Sequence, residues 1–144
     1  MRIAVTYGPM CLQRSAEETW NDPRTGSEIG WRRIVEGLRA RGHEVEAPDY
    51  AAVTGGRLQC AISINEPDSL RAGWIPRDTF RICMFWLNGF SFCKEGYDDH
   101  VDLYFSPSEA HRQKAIGDWG APRPEKWHVS YLGCGPAPRG RGSG

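Results

Sequence analysis

A single α/β domain with a doubly wound, mostly parallel sheet is the architecture this sequence predicts, on three observations. Short apolar runs with β-branched residues, Arg2 to Thr6 and Phe80 to Leu87 above all, read as strands buried on both faces. Behind the first run lies a helical stripe, Trp31, Ile34, Val35 and Leu38, at i, i+3, i+4 and i+7. Strand and helix signals then alternate along the chain, the pattern of β-α-β units. The expected fold is therefore Rossmann-like.

The first strand, Arg2 to Thr6, ends at Tyr7-Gly8. A long connection follows as far as Gly26, much longer than the usual loop of about 4–6 residues, with room for a helical turn over 13–20. Thr25 and Glu28 have the Thr-x-x-Glu spacing of a capping box, so the main helix starts there and ends at Gly42, a residue suited to the left-handed closing turn. Glu44 to Ala47 is the second strand, stopped by Pro48. Leu58 to Ile64 is the third, closed by Asn65-Glu66-Pro67-Asp68, and Asp68 to Ala72 continues as a short helix. Phe80 to Leu87, the most apolar run, predicts a central strand ending in an Asn88-Gly89 turn. After a polar stretch, Val101 to Phe105 is the fifth strand. Ser106-Pro107-Ser108-Glu109 then predicts a second capping box with Pro107 in the first helical position, opening a helix to about Trp119. Trp127 to Leu132 is the last strand. The tail, residues 137–144, has almost nothing to bury and is expected to be disordered.

Composition narrows the function. A chain of 144 residues is long enough for one core and too short for two ordinary domains. Its 18 basic and 18 acidic residues balance, which removes a global field toward nucleic acid or an anionic membrane. No stretch approaches the roughly 20 apolar residues that span a bilayer, and the start is too short for a secretory signal, so a cytoplasmic protein is expected. The five cysteines are odd in number and form no Cys-x-x-Cys pair, which suggests reduced, partly buried thiols.

In such a sheet ligands bind outside the carboxyl ends of the strands. Gly26 and Ser27 open the main helix, where backbone N–H groups can approach a phosphate, although Gly26 equally suits a tight turn into the helix. Glu28 could bond a ligand, but its place in the capping box favours a structural role. No Gly-x-Gly-x-x-Gly follows the first strand and no Gly-Lys-Ser/Thr loop is present, which argues against nicotinamide and P-loop chemistry. Asp98, Asp99 and His100 read as solvated surface before a strand. His43, His111 and His128 have no partners at ligand spacing, so no catalytic base stands out.

Several stretches together resemble the N-terminal half of a GT-B glycosyltransferase of the family-4-like group. They are Thr25 to Ile29, Leu38 to Val45, Val101 to Arg112, and Gly-Ala-Pro followed by Lys126 to Pro136. The resemblance covers about residues 1–136. It implies an acceptor-side domain for transfer of a sugar from a nucleotide-sugar donor to a hydroxyl acceptor, in a cleft and without an essential metal or other cofactor. The first β-α loop, with Gly26, Ser27 and Glu28, would approach the donor phosphates or the acceptor, and Asn88 would face the cleft. The chain departs from the family at Thr25-Gly26, where a double glycine is usual, at Asn88, where many relatives have a histidine nearby, and at Gly133-Cys134-Gly135, which lacks the usual Asn and Asp. The C-terminal domain that would hold most donor contacts is absent from this sequence. The expectation is a domain inactive alone, completed by a separate C-terminal domain or prone to self-association. The competing expectation is a non-catalytic binding or interaction module that kept the fold.

Overall fold

The computed structural model describes residues 1–7, 14–47, 57–65, 67–71, 75–85 and 98–130. Asn88, the Asn88-Gly89 turn, the 133–135 turn and the tail 137–144 lie outside the described residues.

Six strands form one all-parallel sheet: β1 (Arg2–Tyr7), β2 (Glu44–Glu46), β3 (Cys60–Ile64), β4 (Phe80–Met84), β5 (Leu103–Ser106) and β6 (Trp127–Val129), in the order β2-β1-β3-β4-β5-β6. Among the described residues the helices are α1 (Ala16–Asn21), α2 (Gly26–Ala40) and α3 (Glu109–Gly117), with 3-10 turns at Asp68–Arg71, Asp98–His100 and Pro124–Lys126. This is the doubly wound Rossmann-like arrangement that the sequence predicts, with every described strand pair parallel.

Strand alternation divides the core in two. On one face Ile3, Val5, Val45, Cys60, Ile62 and Ile64 are buried under Trp31 and Val35 of α2, with Ile34 and Leu38 at the margin, so the predicted helical stripe is the packing stripe. On the other face Ala4, Ala61, Cys83, Phe85, Tyr104 and Trp127 are buried with Leu70 and with Ala115 of α3. There the rings of Phe85, Tyr104 and Trp127 stack, with the Tyr104 and Trp127 centroids 4.5 Å apart and their planes 8° apart. Offset stacking of this kind adds about 0.5–1.5 kcal/mol to the gain from burial. Cys60 and Cys83 are buried thiols; burial, with the nearby charge of Asp102, pushes the Cys60 thiol up to about 11 and keeps it protonated.

One local expectation is corrected and one is borne out. The helix after β5 does not begin at Pro107 in a Ser106–Glu109 capping box. Ser106 completes β5, and its hydroxyl is buried 3.1 Å from His111 Nδ1. The cap is Ser108, whose Oγ accepts from the His111 N–H at 3.1 Å. Strand pairing holds Ser106 in the sheet, its own carbonyl accepting from the Ser130 N–H at 2.9 Å, so the helix starts two residues later. The turn over 13–20 is a true helix, α1, capped by a second reciprocal pair: Glu18 N–H to Ser15 Oγ at 3.1 Å and Ser15 N–H to Glu18 Oε2 at 3.0 Å. Its Ser-x-x-Glu signature was present in the sequence.

Because Phe85 closes the aromatic stack with no exposure, Phe85→Ala removes a large side chain from a site that cannot collapse. It is expected to cost about 3–5 kcal/mol in denaturant unfolding, with a matching fall in the midpoint.

Candidate functional site

Neighbours of β1 leave in opposite directions. The chain passes from β1 to β2 with α2 on one face, while the 3-10 turn after β3 and α3 after β5 pack on the other. The carboxyl ends of β1 and β3 therefore form a topological switch point, where a crevice opens in open α/β sheets. Among the described residues, two segments follow those ends in the chain: residues 14–25, with α1, leading into α2, and the 3-10 turn after β3.

The seam between the two strands is fastened by hydroxyls. Thr6 and Ser63 are register partners, and Ser69 reaches both, with its Oγ 3.1 Å from Thr6 Oγ1 and 2.8 Å from Ser63 Oγ. All three are buried, as hydroxyls in an apolar interior can be only when bonded. Asn65, next after β3, is the sole non-glycine residue with positive φ among those described, at 60°. Its N–H donates to the Met84 carbonyl at 2.8 Å, which turns the chain across the end of β4. Asparagine tolerates this left-handed conformation better than most side chains. The Thr6, Ser63 and Ser69 cluster escaped the sequence reading. Its only signal there was a hydroxyl set into otherwise apolar strand residues.

The start of α2 is built around the carboxylate of Glu28. Thr25 Oγ1 accepts from the Glu28 N–H at 3.2 Å, and Glu28 Oε2 accepts from the Thr25 N–H at 2.9 Å, completing the predicted capping box. The same oxygen accepts from the Arg24 N–H and from Arg14 Nη2, 3.3 Å away. Glu28 is 7 % exposed. Burial alone raises a carboxyl's pKa, but the Arg24 and Thr25 N–H groups and the Arg14 guanidinium outweigh it and leave Glu28 below its ordinary 4.5. Arg14 also donates to the Asp22 carbonyl at 2.8 Å and lies 3.7 Å from the Asp22 carboxylate, which pairs with Arg24 at 2.8 Å. Two cations and two anions thus offset one another here.

Gly26 and Ser27 are the first two residues of α2, in the same turn as Glu28, and among the described residues nothing accepts from their N–H groups. Space beside Gly26 is open: a Cβ built there meets nothing within 4 Å, and its φ is not positive. The arrangement places two N–H donors at the positive end of a 15-residue helix dipole, while Arg14 and Arg24 are paired with Asp22 and Glu28.

Other sequence candidates fall outside this crevice. His111, at the start of α3, is buried, bonded to Ser106 and packed edge-on against Trp119 at 5.2 Å, which fits a core histidine. Asp99 is exposed and paired with Arg123 at 3.3 Å, and His100 is exposed, as a solvated surface requires. Among the described residues no three His, Cys, Asp or Glu side chains converge as a metal site, and no helix is long and apolar enough to cross a membrane. Compared with family models, with curated proteins and with solved structures, the chain matches none.

Two outcomes follow from the cap. Thr25→Ala is expected to cost about 1 kcal/mol in chemical unfolding, the usual loss for an N-cap. Glu28 has a folded-state pKa below its unfolded one, so its contribution is complete above about 4.5 and is lost as pH falls through the lower, folded value. Stability measured against pH should therefore fall less steeply below 4.5 in Glu28→Gln than in the parent chain.

Proposed function

We propose that the chain is the acceptor-side domain of a glycosyltransferase that moves a sugar from a nucleotide-sugar donor to a hydroxyl acceptor, working in the cytoplasm. The observation that carries the reading is the pair of open N–H groups of Gly26 and Ser27 beside the switch point of an all-parallel sheet. The sequence resemblance of residues 25–29 and 101–112 supplies the chemistry.

Electrostatics supports the acceptor side in particular. Sugar transfer needs strong stabilisation of the departing diphosphate. Around Gly26 and Ser27 the arginines 14 and 24 are already committed to Asp22 and Glu28. These N–H groups would orient an acceptor hydroxyl or one donor oxygen, and the charge of the diphosphate would be met by a separate C-terminal domain. The isolated chain is therefore expected to bind weakly and to turn nothing over.

The test is NMR titration of purified, amide-labelled chain with UDP-glucose, GDP-mannose and ADP-glucose, and separately with simple glycosides as acceptors. Saturable shifts centred on the Gly26 and Ser27 amides are expected. Gly26→Ala, which fills open space at ordinary φ, should leave unfolding within about 0.5 kcal/mol of the parent or slightly more stable, while weakening that binding several-fold. Shifts confined elsewhere, or sugar transfer by the chain alone, would sink the reading.

A further inference from the structure

The segment that leads into α2, residues 14–25 with α1, is held on that helix at two places of different chemistry. The first is Trp20. Its ring meets Trp31 edge-on, with centroids 5.4 Å apart and planes at 79°, and the guanidinium groups of Arg32 and Arg39 lie over it at 5.7 and 5.5 Å. Arg32 Nη1 also donates to the Trp20 carbonyl at 3.4 Å. Nothing in this set titrates in the acid range, because arginine keeps its charge and tryptophan has none.

The second place is one oxygen of Glu28. Its Oε2 accepts from the Arg24 N–H, from the Thr25 N–H at 2.9 Å and from Arg14 Nη2 at 3.3 Å. Arg14 in turn donates to the Asp22 carbonyl at 2.8 Å, drawing the two ends of the segment together. All three bonds to Oε2 need an acceptor there. A protonated carboxyl carries a donor instead at one oxygen, and at 7 % exposure little water reaches Glu28 to replace what is lost.

We infer that residues 14–25 form a strap hinged at Trp20 and latched by the Glu28 carboxylate: neutralising that carboxylate opens the latch while α1 stays docked on α2 and the sheet stays folded. Local openings of this kind lie below global unfolding in free energy when few contacts fix a segment. The helix itself keeps its cap, because the Glu28 N–H still donates to Thr25 Oγ1 at 3.2 Å. Burial alone raises the Glu28 carboxyl, and the Arg24 and Thr25 N–H groups with Arg14 outweigh it, so the closed latch holds Glu28 below 4.5. The latch is therefore closed above about 4.5 and opens as pH falls through the lower, closed-state value. Among the described residues the charged groups that face Glu28 are Arg14 and, through Arg14 and Arg24, Asp22 and Glu18. Glu18 is itself held low, chiefly by the Ser15 N–H and hydroxyl, so mutation has to separate the two carboxylates. The inference stands apart from the ligand reading, since no step of it uses the Gly26 or Ser27 N–H groups.

The experiment is amide hydrogen exchange followed by NMR on the purified 144-residue chain between about pH 6 and about pH 3.5, each rate divided by the intrinsic rate of that amide. Protection of the Arg24 and Thr25 amides is expected to fall about ten-fold over this range. The Thr19 amide of α1, the Ile29 amide of α2 and the Phe85 amide beside β5, each bonded to a backbone carbonyl, should keep theirs. Glu28→Gln should show the low protection already at the upper pH, with no further fall. Arg14→Gln, which removes the charged donor, should move the midpoint of the fall up toward 4.5, and Glu18→Gln should leave the fall at Arg24 and Thr25 as in the parent. Loss of Thr19 protection together with Arg24 would overturn the hinge, and a fall shared with Phe85 would make the event global unfolding. A Glu28→Gln chain with the parent's pH profile would overturn the latch.

Discussion

A parallel sheet must bury both of its faces, and nearly everything else in this protein follows from how that requirement is met. Parallel neighbours cannot be joined by hairpins, so each connection has to cross a face and leave cover behind. The reversal of direction at β1 sends α2 to one face and the 3-10 turn and α3 to the other. One consequence is the topological switch point at the carboxyl ends of β1 and β3.

Around the crevice, polar groups do structural work before they can do any other. Ser69 ties the turn after β3 to the seam of β1 and β3. Glu28 gathers the Arg24 and Thr25 N–H groups and Arg14, and thereby joins the connection from β1 to the first turn of α2. Trp31, one turn further on, is buried against β1 and donates to the Val5 carbonyl at 3.4 Å. The helix is thus fixed at its start by charge-assisted bonds and along its length by apolar packing. Among the described residues, the Gly26 and Ser27 N–H groups lie in a neighbourhood of balanced charge.

Local patterns made much of this readable in the sequence. The Thr25–Glu28 box, the Trp31 to Leu38 stripe and the closing Gly42, whose φ is 83°, all lie within one helix, so their spacing alone places them. The same kind of signal failed at Ser106, where two serines compete for the cap. Pairing with a distant strand decided it, and Ser108 took the role. His111 likewise had no visible partner in sequence, because Ser106 and Trp119 reach it only once α3 lies on the sheet.

By itself the sequence determined the elements: which runs are strands, where α2 starts and stops, and the absence of a strong net charge. Periodicity, caps and composition act over a few residues and need no knowledge of the rest of the chain. Only the tertiary structure decided the strand order, and with it the meeting of Thr6, Ser63 and Ser69 and the commitment of Arg14 to Glu28. Those depend on contacts between residues up to 63 positions apart, chosen by the packing of the whole sheet, and no local pattern encodes them.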